Sequence, residues 1–485
     1  MTLFANELNV FFKKTDKAPY HIHSDGFTLS TFNNAVMGQL LKNESGYQLE
    51  PGLIEYYKFD FKREIYILKL RENILFHNGR TANSVDLEFS LLRGFYSPDR
   101  SFFHVYLGNL EGIESIKPGD KFRSGAISGI KIIDNLTIEV KLKKPNPSFF
   151  HSLTNAYFSL FPIEELQDDY LTWKTVPIGA GNYKVIGNGF DGKKTTIVSI
   201  FKSDKDKRPK IVHFHNEKND RVDIFEDYTT APEGFIKYKT DKAASVLLMS
   251  ISNMNELSKN SDFRKGLSFL IDRSEIESEN SGKVSSSQIL PSHFWGRDRI
   301  KSMYDLEKAK MYFSRIPKEL LDKKYNVLMF SGSDLNEEQK RIAFILEKQF
   351  SKVGFNAKFI ASTKKFIDSE LASSSPLLVS GRVCDYVDPL VMFASFRKNG
   401  HAPFYSPTGK NLDEYERLYV NASNADNFDD RNKSVQDLSR FIESNIIAIP
   451  IAEAKILLNV RKSKVKSLGK QTNPITLNLE NIEMY

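Results

Sequence analysis

The sequence has little cysteine and no long apolar run, and each shortage excludes a kind of protein. Cys384 is the only cysteine among 485 residues, so neither an intrachain disulfide nor a cysteine-based zinc site can form. The longest strongly apolar run, from Ile446 to Ala452, is far shorter than the ~18 residues that a membrane-spanning helix needs. A disulfide-stapled scaffold is therefore excluded, and no run qualifies as a membrane span.

An excess of one charge is also missing. Lys and Arg total 68 and Asp and Glu total 61, so the net charge is 68 − 61 = +7, spread along the chain without a dense basic tract. This balance does not indicate a nucleic-acid partner. Hydrophobic residues make up 40% of the chain and charged residues 27%, a composition typical of a folded protein with a large core rather than a disordered or collagenous one. The length suggests about three modules.

The familiar catalytic motifs are absent from the sequence. It contains no phosphate-cradling Gly-rich loop, no Gly-x-Ser-x-Gly elbow and no His-Glu-x-x-His helix. Cys384 has no catalytic signature around it and is expected to be a small packed thiol. The sequence therefore predicts neither an enzyme nor a cofactor site.

Two His-x-His pairs, His21/His23 and His213/His215, are candidate metal ligands. On a strand such a pair projects to one face, as a metal site requires. Neither pair has a complete ligand set nearby in sequence, although Glu217 follows the second. Surface or hydrogen-bonded histidines are the better interpretation, and no metal site is predicted.

Runs with strand-like and helix-like spacing alternate along the chain and predict an α/β protein. A turn is expected at Asn78-Gly79, and Asn83 or Ser84 is expected to cap the next helix. The serine-rich segment Ser281–Ser287 and the lysine-rich segment Lys202–Lys210 are expected to be surface loops. Strands are predicted at Leu8–Lys13, Glu64–Leu70, Asn326–Phe330, Ala357–Ile360 and Pro376–Ser380, with a hairpin at Gly129–Leu142. Helices are predicted at Leu29–Leu41, Asp262–Ile276, Asp305–Phe313, Asn336–Val353, Asp413–Asn421 and Asp430–Ser444.

The segment Gly381–Pro389 concentrates two acids, an arginine and a tyrosine. It follows the apolar strand Leu377–Val379 and so lies at a strand's carboxyl end, where open α/β sheets place their ligands. Asp388, directly before Pro389, is expected to shape the turn into the next helix. For Asp385 the residues alone leave a ligand contact and a surface acid equally open.

Two neighbouring segments of the sequence carry a resemblance to a known family. The segment Leu49–Glu55 and the segment Tyr66–Arg80, continued by Thr81–Ser90, resemble the signature of the family 5 extracellular solute-binding proteins, the peptide and nickel receptors of ATP-binding-cassette importers. One departure is mild, since Asn83-Ser84 stands where the family commonly has Glu-Asp. Further matches lie almost end to end, at Gly125–Leu142, Pro177–Tyr183, Phe263–Arg273, Phe344–Phe355 and Asn445–Ile451.

The resemblance implies a two-lobe periplasmic-binding-protein fold of type II, cluster C, with a hinge between the lobes. Lobe I is expected to comprise residues 1–37, 163–245 and 448–485. An inserted small subdomain is expected at 38–162 and lobe II at 246–447. In this fold the ligand is enclosed when the lobes close over it.

The function implied by the resemblance is that of a substrate-binding protein that captures a short peptide or similar amine-bearing solute and delivers it to the membrane permease of an importer. A nickel chelate, haem or an oligosaccharide as ligand, or a sensory module without transport, stay open as alternatives. A free periplasmic monomer that binds no nucleic acid is expected. The apolar start Met1–Ala5 is interpreted either as an ordinary start or as the end of a secretory signal, and the ordinary start is the better interpretation.

The resemblance also assigns candidate ligand-binding residues. Asp385, followed by Tyr386, stands in the register of the aspartate that pairs with a peptide's α-amino group in the peptide-binding members. Arg382 replaces a tryptophan common at its position, and either pairs with Asp385 or reaches an acidic group of the ligand. Tyr20 and His21 match a region that lines the cleft, although Ala18-Pro19-Tyr20 stands where the family has Leu-Asp-Pro.

Overall fold

The computed structural model describes most of the chain. Several residues considered above lie outside the described part, namely Met1–Ala5, His23, Ser281, Cys384 and residues 202–206 of the lysine-rich segment. The structure describes all residues except 1–5, 15, 22–25, 44–47, 98–102, 104–105, 202–206, 228–229, 279–281, 299–302, 332–333, 363–368, 384, 399, 401–402, 426 and 472.

The described residues form strands along the whole chain. They are β1 (Glu7–Phe11), β2 (Leu41–Lys42), β3 (Glu50–Pro51), β4 (Ile54–Asp60), β5 (Ile65–Leu70), β6 (Ile130–Ile132), β7 (Thr137–Lys141), β8 (Tyr183–Phe190), β9 (Lys194–Ser199), β10 (Ile211–His215), β11 (Ile224–Glu226), β12 (Phe235–Lys239), β13 (Ser245–Ile251), β14 (Lys283–Ser285), β15 (Tyr325–Phe330), β16 (Ala357–Ser362), β17 (Leu377–Val383), β18 (Ala448–Ala454), β19 (Leu457–Arg461), β20 (Val465–Ser467) and β21 (Glu483–Met484).

Helices lie between these strands. The α-helices are α1 (Gly26–Val36), α2 (Ser84–Tyr96), α3 (Phe149–Ser152), α4 (Glu256–Lys259), α5 (Ser261–Leu270), α6 (Leu306–Phe313), α7 (Lys318–Leu321), α8 (Glu337–Ser351), α9 (Ser369–Ser374), α10 (Leu390–Phe393), α11 (Lys410–Asn424) and α12 (Phe428–Ser444). Short 3₁₀ helices lie at Ile113–Ser115, Ile163–Glu165, Arg273–Glu275, Ala394–Phe396, Pro403–Tyr405 and Leu479–Asn481. In the part of the chain that the structure describes, no helix has the length and apolar character required to cross a membrane.

A seven-stranded sheet gathers segments from distant parts of the chain. Its order is β12-β19-β11-β1-β10-β9-β8, and β1 lies parallel to both β10 and β11. Leu8 and Val10 of β1 are fully buried, as expected for an apolar strand at the centre of a sheet. The first, middle and last parts of the chain therefore build one body.

A six-stranded sheet forms a second body, in the order β14-β18-β13-β17-β15-β16. Alternate residues of β13 serve two cores, since Val246 and Leu248 join one apolar cluster and Met249 and Ile251 join another. Because successive side chains of a strand point to opposite faces, the sheet has a helix-covered core on each side.

A four-stranded antiparallel sheet, β4-β5-β7-β6, packs with α2 into the same core as the seven-stranded sheet. The predicted hairpin appears as β6 and β7. Asn83 is the N-cap of α2, and its side chain accepts hydrogen bonds from the backbone of Val85 and Asp86. The Asp86 side chain in turn accepts a hydrogen bond from the backbone N–H of Asn83, which completes a capping box.

Two strand-to-strand segments connect the seven-stranded and six-stranded sheets, from β12 to β13 and from β18 to β19. They run side by side, because Thr240 donates its backbone N–H to Ile456 O at 3.0 Å and Ala244 donates to Ala454 O at 2.8 Å. A pair of hydrogen-bonded connections between two bodies is the place where a hinge is expected.

The structure corrects the bounds of several predicted elements. The helix predicted at Leu29–Leu41 ends at Val36, because Gly38 turns the chain with φ of +77°. The helix predicted at Asp262–Ile276 ends at Leu270, where the backbone becomes extended.

The predicted loop Ser281–Ser287 contains β14, whose polar residues are accommodated because it is the edge strand of its sheet. The strand predicted at Pro376–Ser380 continues to Val383.

Candidate ligand-binding site

Strand β17 leads directly into the candidate site. Because β17 continues to Val383, Arg382 lies within the strand, opposite Val246 of β13, rather than beyond its end as predicted. Asp385 follows just after the strand. Gly381 continues the ladder opposite Leu247.

Asp385 contacts a tyrosine from a distant part of the chain. Tyr106 donates its hydroxyl to Asp385 Oδ2 at 2.8 Å, and its side chain is only 8% exposed. Burial first, and then the charge of Asp385, raises the pKa of Tyr106 well above its usual value, so the phenol stays protonated and remains a donor. The sequence analysis missed Tyr106, and no local motif marks it.

Aromatic rings surround this hydrogen bond. The Tyr106 ring meets the rings of Tyr386 and Phe158 edge to face, at centroid distances of 5.6 and 5.7 Å. Burial, followed by the charge of Asp388, raises the pKa of Tyr386 well above its usual value. The charge of a half-buried carboxylate attracts a cation. Aromatic rings beside it attract the same cation through their faces.

Asp388 has a structural role beneath the site. Its Oδ1 accepts the backbone N–H of Leu390 at 3.0 Å, so it shapes the turn into α10, as predicted. Its Oδ2 lies 2.8 Å from Arg431 Nη1, and both side chains are almost fully buried. Arg431 Nη2 also donates to Ser148 Oγ at 2.6 Å, and the sequence analysis identified neither Arg431 nor Ser148.

Arg382 does not share this network. Its guanidinium carbon lies 5.4 Å from the centroid of the Phe396 ring. Its Nε and Nη2 atoms are buried and have no hydrogen-bond partner among the described residues. Burial lowers the pKa of Arg382 to about 10, so the side chain remains charged at neutral pH.

The two candidates near the start of the chain have different surroundings. Tyr20 packs its ring on Phe32, with a centroid distance of 5.4 Å, and its hydroxyl is hydrogen-bonded to the backbone of Phe190. Its side chain is therefore directed into the core beside the seven-stranded sheet. His21 is exposed, and its backbone N–H donates to Ala18 O at 3.0 Å within a turn. The binding role of both residues stays a prediction.

The pair His213/His215 is hydrogen-bonded, as expected. His213 lies 2.7 Å from Thr196 Oγ1 and 3.0 Å from Glu7 Oε1, and His215 Nε2 lies 2.9 Å from Asn9 Oδ1. Burial is the main reason why the pKa of His215 falls to about 4. Among the described residues no group of three or more His, Cys, Asp or Glu side chains is placed to hold a metal ion.

The chain is similar to several proteins of known structure. The chain resembles the solved structures of Haemophilus influenzae OppA in complex with RPPGFSPFR (18% identity, TM-score 0.77, 99% of each chain covered) and of the Escherichia coli murein tripeptide binding protein MppA (17%, 0.77, 99% of this chain and 98% of that one). It also resembles Helicobacter pylori DppA in complex with peptide STSA (16%, 0.76, 99% and 98%). A search of curated proteins gave no match.

These full-length structural matches confirm the predicted two-lobe fold, while the predicted domain boundaries stay predictions. The family model for bacterial extracellular solute-binding proteins, family 5 Middle, matches residues 48–198 and 212–404. The chain belongs to the bacterial extracellular solute-binding proteins of family 5.

Proposed function

We propose that this protein is the substrate-binding protein of an ATP-binding-cassette importer and that it captures a short peptide or similar amine-bearing solute. The observation that carries the proposal is the carboxylate of Asp385, held by the Tyr106 hydroxyl at 2.8 Å among the rings of Tyr106, Tyr386 and Phe158. Two of the similar structures are complexes with peptides by their descriptions, which supports this class of ligand.

The chemistry of Asp385 suits an α-amino group. A hydrogen bond between an ammonium group and a carboxylate contributes about 1.5–3 kcal/mol. A carboxylate offers about four acceptor positions, so the bond from Tyr106 is compatible with a bound amine. The neighbouring rings add a favourable cation–π contribution.

Closure of the lobes is part of the proposal. Tyr106 lies in the predicted subdomain 38–162 and Asp385 in the predicted lobe II, so a ligand bound beside this hydrogen-bonded pair contacts both parts and favours the closed state. Small-angle scattering should show a smaller radius of gyration with a saturating peptide than without it. An unchanged radius would contradict the hinged-receptor proposal.

We propose a location outside the cytoplasmic membrane, free in the periplasm, and a membrane permease as partner. The family supports this location, since its members are extracellular solute-binding proteins. We also propose that the protein acts as a monomer and as a receptor rather than an enzyme. A nickel chelate, haem or an oligosaccharide as ligand is the less favoured alternative, because two of the similar structures are complexes with peptides.

Calorimetry tests the proposed ligand class. A mixed tri- and tetrapeptide library should bind the wild-type protein, whereas the same library N-acetylated should bind at least about tenfold more weakly, since the charge-assisted bond is lost. Asp385→Asn should lose this discrimination. Asp429→Asn, which changes an exposed acid on α12, is the matched control and should bind like the wild type. No binding of any peptide would overturn the proposal.

A further inference from the structure

Arg382 carries a buried positive charge that no acid of the described chain neutralises. Its Nε and Nη2 atoms lack hydrogen-bond partners within the described residues. Among those residues, Tyr415 is the one titratable group whose charge affects the pKa of Arg382 noticeably. Tyr415 is fully buried, and its hydroxyl is already used as a donor to Phe393 O at 2.7 Å. A buried donor without a partner is costly, and such groups in a native protein call for an explanation.

The surroundings of Arg382 leave the N–H groups at the edge of its guanidinium available to bind a ligand. The Phe396 ring lies 5.4 Å from the guanidinium carbon, and contact with an aromatic face leaves the N–H groups in the guanidinium plane. Donors arranged in that plane match the two oxygens of a carboxylate in a bidentate hydrogen bond. The chemistry therefore favours a planar anion.

The position of Arg382 relates this anion to the amine proposed for Asp385. The two residues are three positions apart, so their Cα atoms are at most about 11 Å apart. An acidic side chain within the first three residues of a peptide spans a separation of this order, as does the terminal carboxylate of a di- or tripeptide. Both sources present the same group, a carboxylate a short distance from an α-amino group.

We propose that Arg382 is a specificity-determining residue that binds a carboxylate of the ligand, so that the protein selects short peptides with an acidic group close to the free amine. This inference rests on the proposed peptide-binding function. It adds a ligand specificity to that function, because Arg382 and Asp385 then bind groups of opposite charge on one ligand.

Calorimetry with paired tripeptides tests the inference. One series carries Glu or Gln at position one, two or three, and each peptide is made with a free and with an amidated carboxyl end. The wild-type protein should bind at least one Glu peptide about tenfold or more tightly than its Gln partner, or the free form of one peptide tighter than its amide. The first result assigns the carboxylate to a side chain and the second to the peptide terminus.

Variants connect the preference to Arg382. Arg382→Gln should abolish it while binding of the neutral, amidated Gln peptides changes little, and Arg382→Lys should keep part of it, because a lysine retains the charge without the planar fork. Lys410→Gln, an exposed cation on α11, is the matched control and should keep the full preference.

The outcomes separate this inference from the proposed function. If none of these peptides binds, in the free or the amidated form, the peptide-receptor proposal itself fails. If the peptides bind but the wild type treats Glu and Gln, and free and amidated ends, alike, the role of Arg382 is overturned while the receptor stands; this measurement needs no variant. A preference that persists in Arg382→Gln would also overturn it.

Discussion

Arg431 and Asp388 form an ion pair that is sealed from solvent. Arg431 Nη1 lies 2.8 Å from Asp388 Oδ2, and the two side chains are 4% and 0% exposed. The same guanidinium donates to Ser148 Oγ at 2.6 Å and to Ala422 O at 3.2 Å, and it lies over the ring of Trp295. One arginine of α12 therefore ties together the turn after Asp385, the start of α3 and the end of α11.

Removal of this arginine should destabilise the protein strongly. Arg431→Met leaves the Asp388 carboxylate buried without its partner, and breaking a buried pair in this way costs about 3–5 kcal/mol. Urea unfolding followed by circular dichroism measures the loss. Arg417→Met, which removes an exposed arginine paired with Glu414, should change the free energy of unfolding by less than about 1 kcal/mol.

A double variant distinguishes the charge from the packing. Arg431→Met combined with Asp388→Asn removes both charges, so its free energy of unfolding should fall less than the sum of the two single losses. A single variant Arg431→Met as stable as the wild type would show that the pair does not hold the turn.

Acidification should destabilise the protein through His293. Burial, and then the charges of Lys242, Arg297 and Lys455, lower the pKa of His293 to about 4, against about 6.5 in the unfolded chain. Between these values the unfolded chain binds a proton that the folded chain does not. The contribution of neutral His293 to the free energy of unfolding is therefore complete above pH 6.5 and is lost as the pH falls towards 4.

Urea unfolding between pH 7.5 and pH 5 measures this effect, because carboxylates titrate mainly below that range. The His293→Gln variant should show a flatter pH dependence than the wild type. Equal slopes for the two proteins would show that His293 is not the titrating group, and His215, whose pKa also falls to about 4, becomes the residue to replace.

Local signals in the sequence predicted the elements that depend on neighbouring residues. The cap at Asn83 and the hairpin at Gly129–Leu142 were found as expected, because a capping box and a two-strand turn involve only residues close in the chain. Strand β14 was missed because its polar residues suit a sheet edge, which the sequence alone does not reveal. The strand predicted at Pro376–Ser380 continues to Val383, and this extension was missed because its ladder partners on β13, such as Leu247 opposite Gly381, lie far away in sequence.

The candidate site was predicted only in part. The resemblance placed Asp385 and Tyr386 in one register, and the structure brings both next to Tyr106. Tyr106 lies 279 positions from Asp385, and no periodicity or motif connects residues at that separation. The surroundings of Arg382 likewise depend on Phe396 and Tyr415, which lie on two other elements and join the apolar cluster of Val246 and Leu248 on the six-stranded sheet.

The glycines of the motif Pro177–Tyr183 should tolerate no side chain. A Cβ at Gly179 would overlap the backbone of Val36 and Met37, where the motif crosses the end of α1. We expect Gly179→Ala to reduce the free energy of unfolding by about 1–3 kcal/mol or more, because backbone atoms cannot move aside as a side chain can. Gly26→Ala is the matched control, since no atom of the described residues lies within 4 Å of the new Cβ. Equal thermal stability of the two variants would contradict this tight approach.

The hydroxyl of Tyr106 should support ligand binding by stabilising the ionised form of Asp385. Tyr106→Phe removes only the donor that lies 2.8 Å from Oδ2, and a hydrogen bond to a charged acceptor favours the charged form. We therefore expect the variant to bind an amine-bearing peptide about fivefold more weakly at pH 7, which corresponds to about 1 kcal/mol.

Calorimetry at pH 7 with one peptide and its N-acetylated form measures this effect. The deficit should be confined to the free amine, because the acetylated peptide makes no ion pair with Asp385. Tyr57→Phe is the matched control: Tyr57 donates its hydroxyl to Leu49 O at 3.0 Å in the four-stranded sheet, so its loss should affect stability without changing affinity. If Tyr106→Phe binds the free and acetylated peptides as the wild type does, the hydroxyl contributes nothing to recognition.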